Sequence, residues 1–79
     1  MNNRPLSAIA SEIARDWKNV NFAAQPYLSA MHCLNSINDN FYFDSGRDIV
    51  TRFLCNAGSW RGETARRVKA ELKKMVGLK

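Results

Sequence analysis

Along the chain, apolar and polar positions alternate with a period that changes only at a few breaks. Leu6, Ile9, Ala10, Ile13, Ala14 and Trp17 recur at three- and four-residue spacing. That spacing lines one stripe of an α-helix and predicts a helix from about Arg4 to Lys18. Asn3 stands where an N-cap is expected, and Pro5 is tolerated in a first turn because its missing N–H would find no partner there. Asn19-Val20-Asn21-Phe22 breaks the stripe. Tyr27, Leu28, Met31, Leu34 and Ile37 begin another, so a second helix is expected from about Pro26 to Ile37, preceded by a short helical turn over Phe22 to Gln25.

Asn38-Asp39-Asn40 carries turn chemistry, and the alternation of Phe41-Tyr42-Phe43 sends Phe41 and Phe43 to one side. An extended piece here would have no second strand to pair with, so the segment reads as a loop anchored by aromatics. Ser45-Gly46-Arg47-Asp48 has the spacing of a capping box, with Asp for the usual Glu, directly before Ile49, Val50, Phe53, Leu54 and Ala57. This predicts a third helix, about Gly46 to Asn56. Gly58 then supplies a left-handed residue, and Ser59 caps a fourth helix from Trp60 to about Val76. On that helix Arg61, Ala65, Val68, Leu72, Met75 and Val76 share one broad face. Arg66, Lys69 and Lys73 lie on one flank, and Arg67 and Lys74 on the other.

No repeat or linker interrupts the pattern, so residues 1–79 form one domain. The expected fold is all-α: a single compact domain of about four helices, ending in an αα-hairpin with a basic last helix. A chain this short buries only about 60% of its unfolded surface, which disfavours an elaborate buried active site. No apolar run reaches the roughly 18 residues that a membrane span needs, and the N-terminus has no signal-peptide core, so the expectation is a cytoplasmic protein with no membrane contact.

Charge changes this picture. The net charge of +5 is not spread evenly. Residues 1–60 carry five bases and five acids, whereas residues 61–79 carry seven bases against Glu63 and Glu71. The whole excess therefore falls in the last quarter of the chain.

Candidate catalysis is thin by comparison. His32 is the one histidine, and its neighbours Met31 and Cys33 point to different sides of a helix. The serines sit at helix starts or within helical stripes, with no strand-to-helix elbow to activate one. Cys33 and Cys55 cannot make a four-ligand zinc site and are expected to be buried free thiols. Asp44 and Asp48 bracket a helix start, where carboxylates oppose the dipole. The glycines form no phosphate-binding loop. No cofactor, metal or catalytic residue is expected.

Binding has more to build on. Arg66, Lys69 and Lys73 at i, i+3 and i+7 can neutralise successive phosphates without sequence-specific geometry. Trp60 adds a stacking surface and Arg61 a charge at the helix start, with Arg67 and Lys74 as secondary contributors. The competing account is a solvated face: late bases complement the helix dipole, and Glu63 stands four residues before Arg67 and three before Arg66, where pairing is expected. A helix-turn-helix fits poorly, since aligning Gly58 with the turn glycine puts Leu54 and Thr64 where a small and an apolar residue are needed. Trp17, Phe22, Tyr27, Phe41, Phe43 and Trp60 are mostly core, with Trp60 or Tyr42 left for an exposed contact patch.

The strings IARDWKNVNFAAQPYLSAM and DSGRDIVTRFLCNAGSWRGETARRVKAELKKM resemble a group of small, mostly uncharacterised proteins carried by bacteriophages and other bacterial mobile elements. Trp17, Tyr27, the Asp44-Ser45 turn and Trp60-Arg61-Gly62-Glu63 carry the resemblance. It implies a non-enzymatic binder in a bacterial host cell, of the kind that includes inhibitors of host defence such as anti-CRISPR proteins. The expected partner is a bacterial protein or nucleoprotein complex. A plain nucleic-acid binder contacting the phosphate backbone is the alternative.

Overall fold

The computed structural model describes residues 4–77. In chain order it contains helix α1 (Leu6–Asp16), helix α2 (Gln25–Met31), a two-residue pair of strands β1 (Asn40–Phe41) and β2 (Asp44–Ser45), helix α3 (Gly46–Cys55) and helix α4 (Glu63–Val76). The fold is mostly α, as the periodicity predicts. The helices pack in a cycle, α1 on α2, α2 on α3, α3 on α4 and α4 back on α1. They enclose one core of Leu6, Ile9, Ile13, Met31, Ile49, Val50, Phe53, Val68 and Leu72, all 2% exposed or less. Each comes from an apolar stripe, and burying such side chains is worth about 1.5–3 kcal/mol apiece.

Helix ends differ from the sequence reading, and each difference has a local cause. α1 starts at Leu6 rather than Arg4. Pro5 occupies the N-cap with no side-chain cap, and the proposed cap Asn3 lies outside the described residues. The first N–H groups instead find tertiary partners, Leu6 donating to the Asn35 carbonyl at 3.0 Å and Ser7 to that of Leu34 at 2.9 Å. α1 ends before Trp17, whose extended backbone directs its indole inward.

α2 stops at Met31, six residues short of the predicted end. Leu34 reaches the core from irregular chain, and Asp39 explains the stop: its carboxylate accepts from Asn35 N at 3.0 Å and Ser36 N at 3.1 Å, bending the segment into a turn. The carbonyls of Asp39 and Ile37 then accept from Gly46 N and Arg47 N. Segment 34–39 thus caps both α1 and α3 through its backbone, satisfying donors that a helix start leaves orphaned. This close approach requires Gly46, because a Cβ there would lie 2.7 Å from Ser36 O and 2.9 Å from the Ile37 Cα. Ser45 also caps α3 as predicted, accepting from Asp48 N at 3.1 Å.

The aromatic loop does have a strand partner. Asn40 pairs with Ser45 and Phe41 with Asp44, antiparallel, across a two-residue tip of Tyr42 and Phe43. Phe41 packs toward the core, whereas Phe43 is fully exposed, so the two do not share a side as the alternation suggested.

α4 begins at Glu63, not Trp60, and neither Gly58 nor Ser59 plays its predicted role. The left-handed break falls at Gly62, with φ 113° and ψ −178°, a conformation open essentially to glycine alone. It lets Trp60 turn into the core before the helix starts. Gly77, left-handed at φ 79°, terminates α4, as Arg47 Nη1 donates to the Val76 carbonyl at 2.6 Å.

Candidate anion-binding face

The site begins with Trp60, which is 2% exposed. Its ring stacks on Trp17 with centroids 5.8 Å apart and planes 11° from parallel, and Phe53 meets both rings edge-on at 6.2 and 6.5 Å. Trp60 Nε1 donates to Asp16 Oδ2 at 2.8 Å. The residue expected to offer an exposed stacking anchor is therefore an internal pillar, its indole face taken by another indole. That correction removes base stacking on Trp60.

The Trp60 backbone carbonyl is taken up by α4. Lys69, one helical face up α4, donates to the Trp60 carbonyl at 2.6 Å while its ammonium sits 5.8 Å from the indole centroid. Gly58, Trp60, Arg61, Gly62, Ala65, Arg66 and Lys69 line an open groove of about 360 Å³. Partial burial holds the Lys69 pKa below its ordinary value, and the neighbouring charges of Lys73 and Arg61 push it the same way. Arg61, Arg66, Lys69 and Lys73 are thus gathered along one flank, and none has a carboxylate partner among the described residues.

On the other flank the arginine is neutralised, whereas Lys74 has no carboxylate partner among the described residues. Arg67 pairs with Glu12, and Arg4 bridges Glu12 at 2.9 Å and Glu71 at 2.7 Å. Arg67, first, and Arg4, second, hold the Glu12 carboxyl below its ordinary pKa, and Glu71 with Glu12 raises that of Arg4. The pairing within α4 expected of Glu63 is replaced by pairing across to α1. Sequence reasoning missed Glu12, although its place next to the buried Ile13 signalled a side chain at the edge of an interface. Lys74 is exposed at the outer surface.

No family model matches the chain, nor does any curated protein or solved structure.

The remaining chemistry-bearing residues do not assemble. Cys33 and Cys55 are free and exposed rather than buried. His32 is exposed, and no cluster of three His, Cys, Asp or Glu that could hold a metal occurs among the described residues. Among those residues, too, no helix is long and apolar enough to cross a membrane. Exposed apolar surface lies elsewhere, in Phe22 at 90%, Tyr42 at 85% and Phe43 at 104%.

Proposed function

We propose that the protein is a non-enzymatic binding module whose unneutralised α4 flank docks on the phosphate backbone of a nucleic acid, free or within a bacterial nucleoprotein complex. The observation that carries this reading is the segregation of charge: Arg61, Arg66, Lys69 and Lys73 converge without a carboxylate, while Arg67 is consumed by Glu12. Like charges held side by side without a counter-charge repel one another, and the arrangement suits an anionic partner. With about four phosphates contacted, log K should fall with log salt at a slope near −3 to −4. Anisotropy of a labelled oligonucleotide across a salt series measures it. A flat series, or unchanged affinity in the Arg66→Glu/Lys73→Glu double variant, overturns the reading. The phage or mobile-element setting, with inhibition of host defence as its sharper form, rests on the resemblance alone.

A second reading has its own observation. Tyr42 is held at φ 58° at the tip of the β1–β2 hairpin, beside a fully exposed Phe43. A non-glycine residue in the left-handed region costs roughly 1 kcal/mol, and an exposed aromatic pair there suits a protein partner. Capture of a bacterial protein that survives nuclease and is lost in Phe43→Ser supports this reading; capture lost with nuclease supports the first.

A further inference from the structure

We propose that the groove between Trp60 and α4 is a seat for one phosphate group, held between Arg61, Arg66 and Lys69. The inference rests on the nucleic-acid reading above and sharpens it: the flank is not a uniform stripe of charge but has one place where a phosphate is fixed.

Three observations converge on it. The first is shape. The groove's remaining walls are Gly58, Trp60, Gly62 and Ala65, and a Cβ added at Gly58 or Gly62 would meet nothing within 4 Å, so the small residues leave a ligand-sized space beside the backbone. The second is charge. Three of the seven lining residues are cationic, none is acidic, and Lys73 stands near enough to Lys69 to disfavour its protonated form.

The third is donor supply. Lys69 spends one ammonium proton on the Trp60 carbonyl, which fixes its head group and leaves two donors for a ligand. Arg61 and Arg66 are exposed, and their guanidinium forks match phosphate oxygens in pairs. Trp60 itself is closed to a base by the Trp17 stack, so recognition at this place is of the phosphate and not of the sequence. The phosphate group is the shared chemistry of two sources, a phosphodiester within a strand and a free phosphate ion, and the doubly charged ion gains more from three converging cations.

The test follows backbone amide signals by NMR as inorganic phosphate is added, in parallel with a thymidine oligonucleotide, for the wild type and for Arg61→Gln and Arg66→Gln. Both substituted residues are exposed, so the fold survives. A seat gives saturable shifts at 58–69 with inorganic phosphate, and about tenfold weaker binding in each variant. It also gives competition between phosphate and oligonucleotide.

Shifts spread equally over Arg15, Lys18 and Arg52, or none at 58–69, overturn the seat. If the oligonucleotide still binds in that case, the nucleic-acid reading stands without it. Saturable phosphate binding with no oligonucleotide binding keeps the seat, assigns it to the free ion and removes the nucleic-acid reading.

Discussion

The two flanks of α4 carry the same kinds of residue and reach opposite electrostatic ends. Toward α1, Arg67 and Glu71 are knitted to Glu12 and Arg4 in a chain of alternating charge. On the other side Arg61, Arg66, Lys69 and Lys73 crowd together, and burial first, then the charges of Lys73 and Arg61, lower the proton affinity of Lys69. The difference lies in the neighbours, not the helix. α1 offers a carboxylate at the right height, whereas the turn before α4 offers a carbonyl and another arginine. A count of bases along a helix therefore overstates the surface available to an anion, because part of the charge is spent holding the fold.

The largest effect should come from the pillar under the bare flank. Trp60→Ala removes an indole packed on Trp17 and Phe53 and leaves Asp16 without its N–H donor, so a loss of about 3–5 kcal/mol is expected in denaturant unfolding. Trp60→Phe keeps most of the packing, forgoes the hydrogen bond and should lose about 1 kcal/mol. Near-equal stability of the two variants would mean that the ring carries little of the packing.

Next in size is the reversal Arg66→Glu/Lys73→Glu. It places acids where the bare flank has bases and should weaken polyanion binding more than tenfold, which is about 1.4 kcal/mol, while unfolding free energy stays within about 0.5 kcal/mol. Arg67→Ala should do the reverse, lowering stability slightly and leaving affinity nearly unchanged. Equal affinity losses from Arg66→Ala and Arg67→Ala would erase the contrast between the flanks.

Glu12→Gln sharpens the contrast by converting the paired flank into a bare one. Arg67 loses its carboxylate and Arg4 keeps only Glu71, costing about 1 kcal/mol for a part-exposed network. Arg67 becomes free to meet an anion, so the salt slope of oligonucleotide binding should steepen by about one unit. An unchanged slope would show that Arg67 points away from any bound strand.

Those results turn on contacts that were unevenly legible in the sequence. The stripes of α1, α3 and α4 are periodic and amphipathic, and Ser45 announces its cap, so the helices and most of the core follow from spacing alone. Local signals also isolated the charged last quarter. What spacing cannot convey is pairing across distance: Glu12 and Arg67 lie 55 positions apart, and nothing in either neighbourhood selects the other over Glu63. Trp60 misled for a related reason. A cap at Ser59 and a helix from Trp60 are locally reasonable, but the fold gains more by sinking the indole between Trp17 and Phe53, and Gly62 supplies the backbone break that permits it. Tertiary burial outweighs helix propensity there. The short α2 has the same origin, since Asp39 captures two amides that a longer helix would use.

The smallest expected effect is in the pH dependence of stability, where the two flanks act at opposite ends of the scale. Glu12 has a folded pKa below its ordinary 4.5, held down by Arg67 and then Arg4. Its ionised form is favoured by folding, so its contribution is fully present above 4.5 and is lost as pH falls through the lowered value. Lys69 has a folded pKa below its ordinary 10.5, chiefly from burial. Between the lowered value and 10.5 the unfolded chain binds the extra proton, so stability rises with pH across that window. Urea unfolding in Arg67→Gln should therefore flatten the acid limb, and in Lys69→Gln the alkaline rise, each leaving the other limb untouched. An alkaline rise that persists in Lys69→Gln would place the strained charge on another residue and loosen the groove from its central lysine.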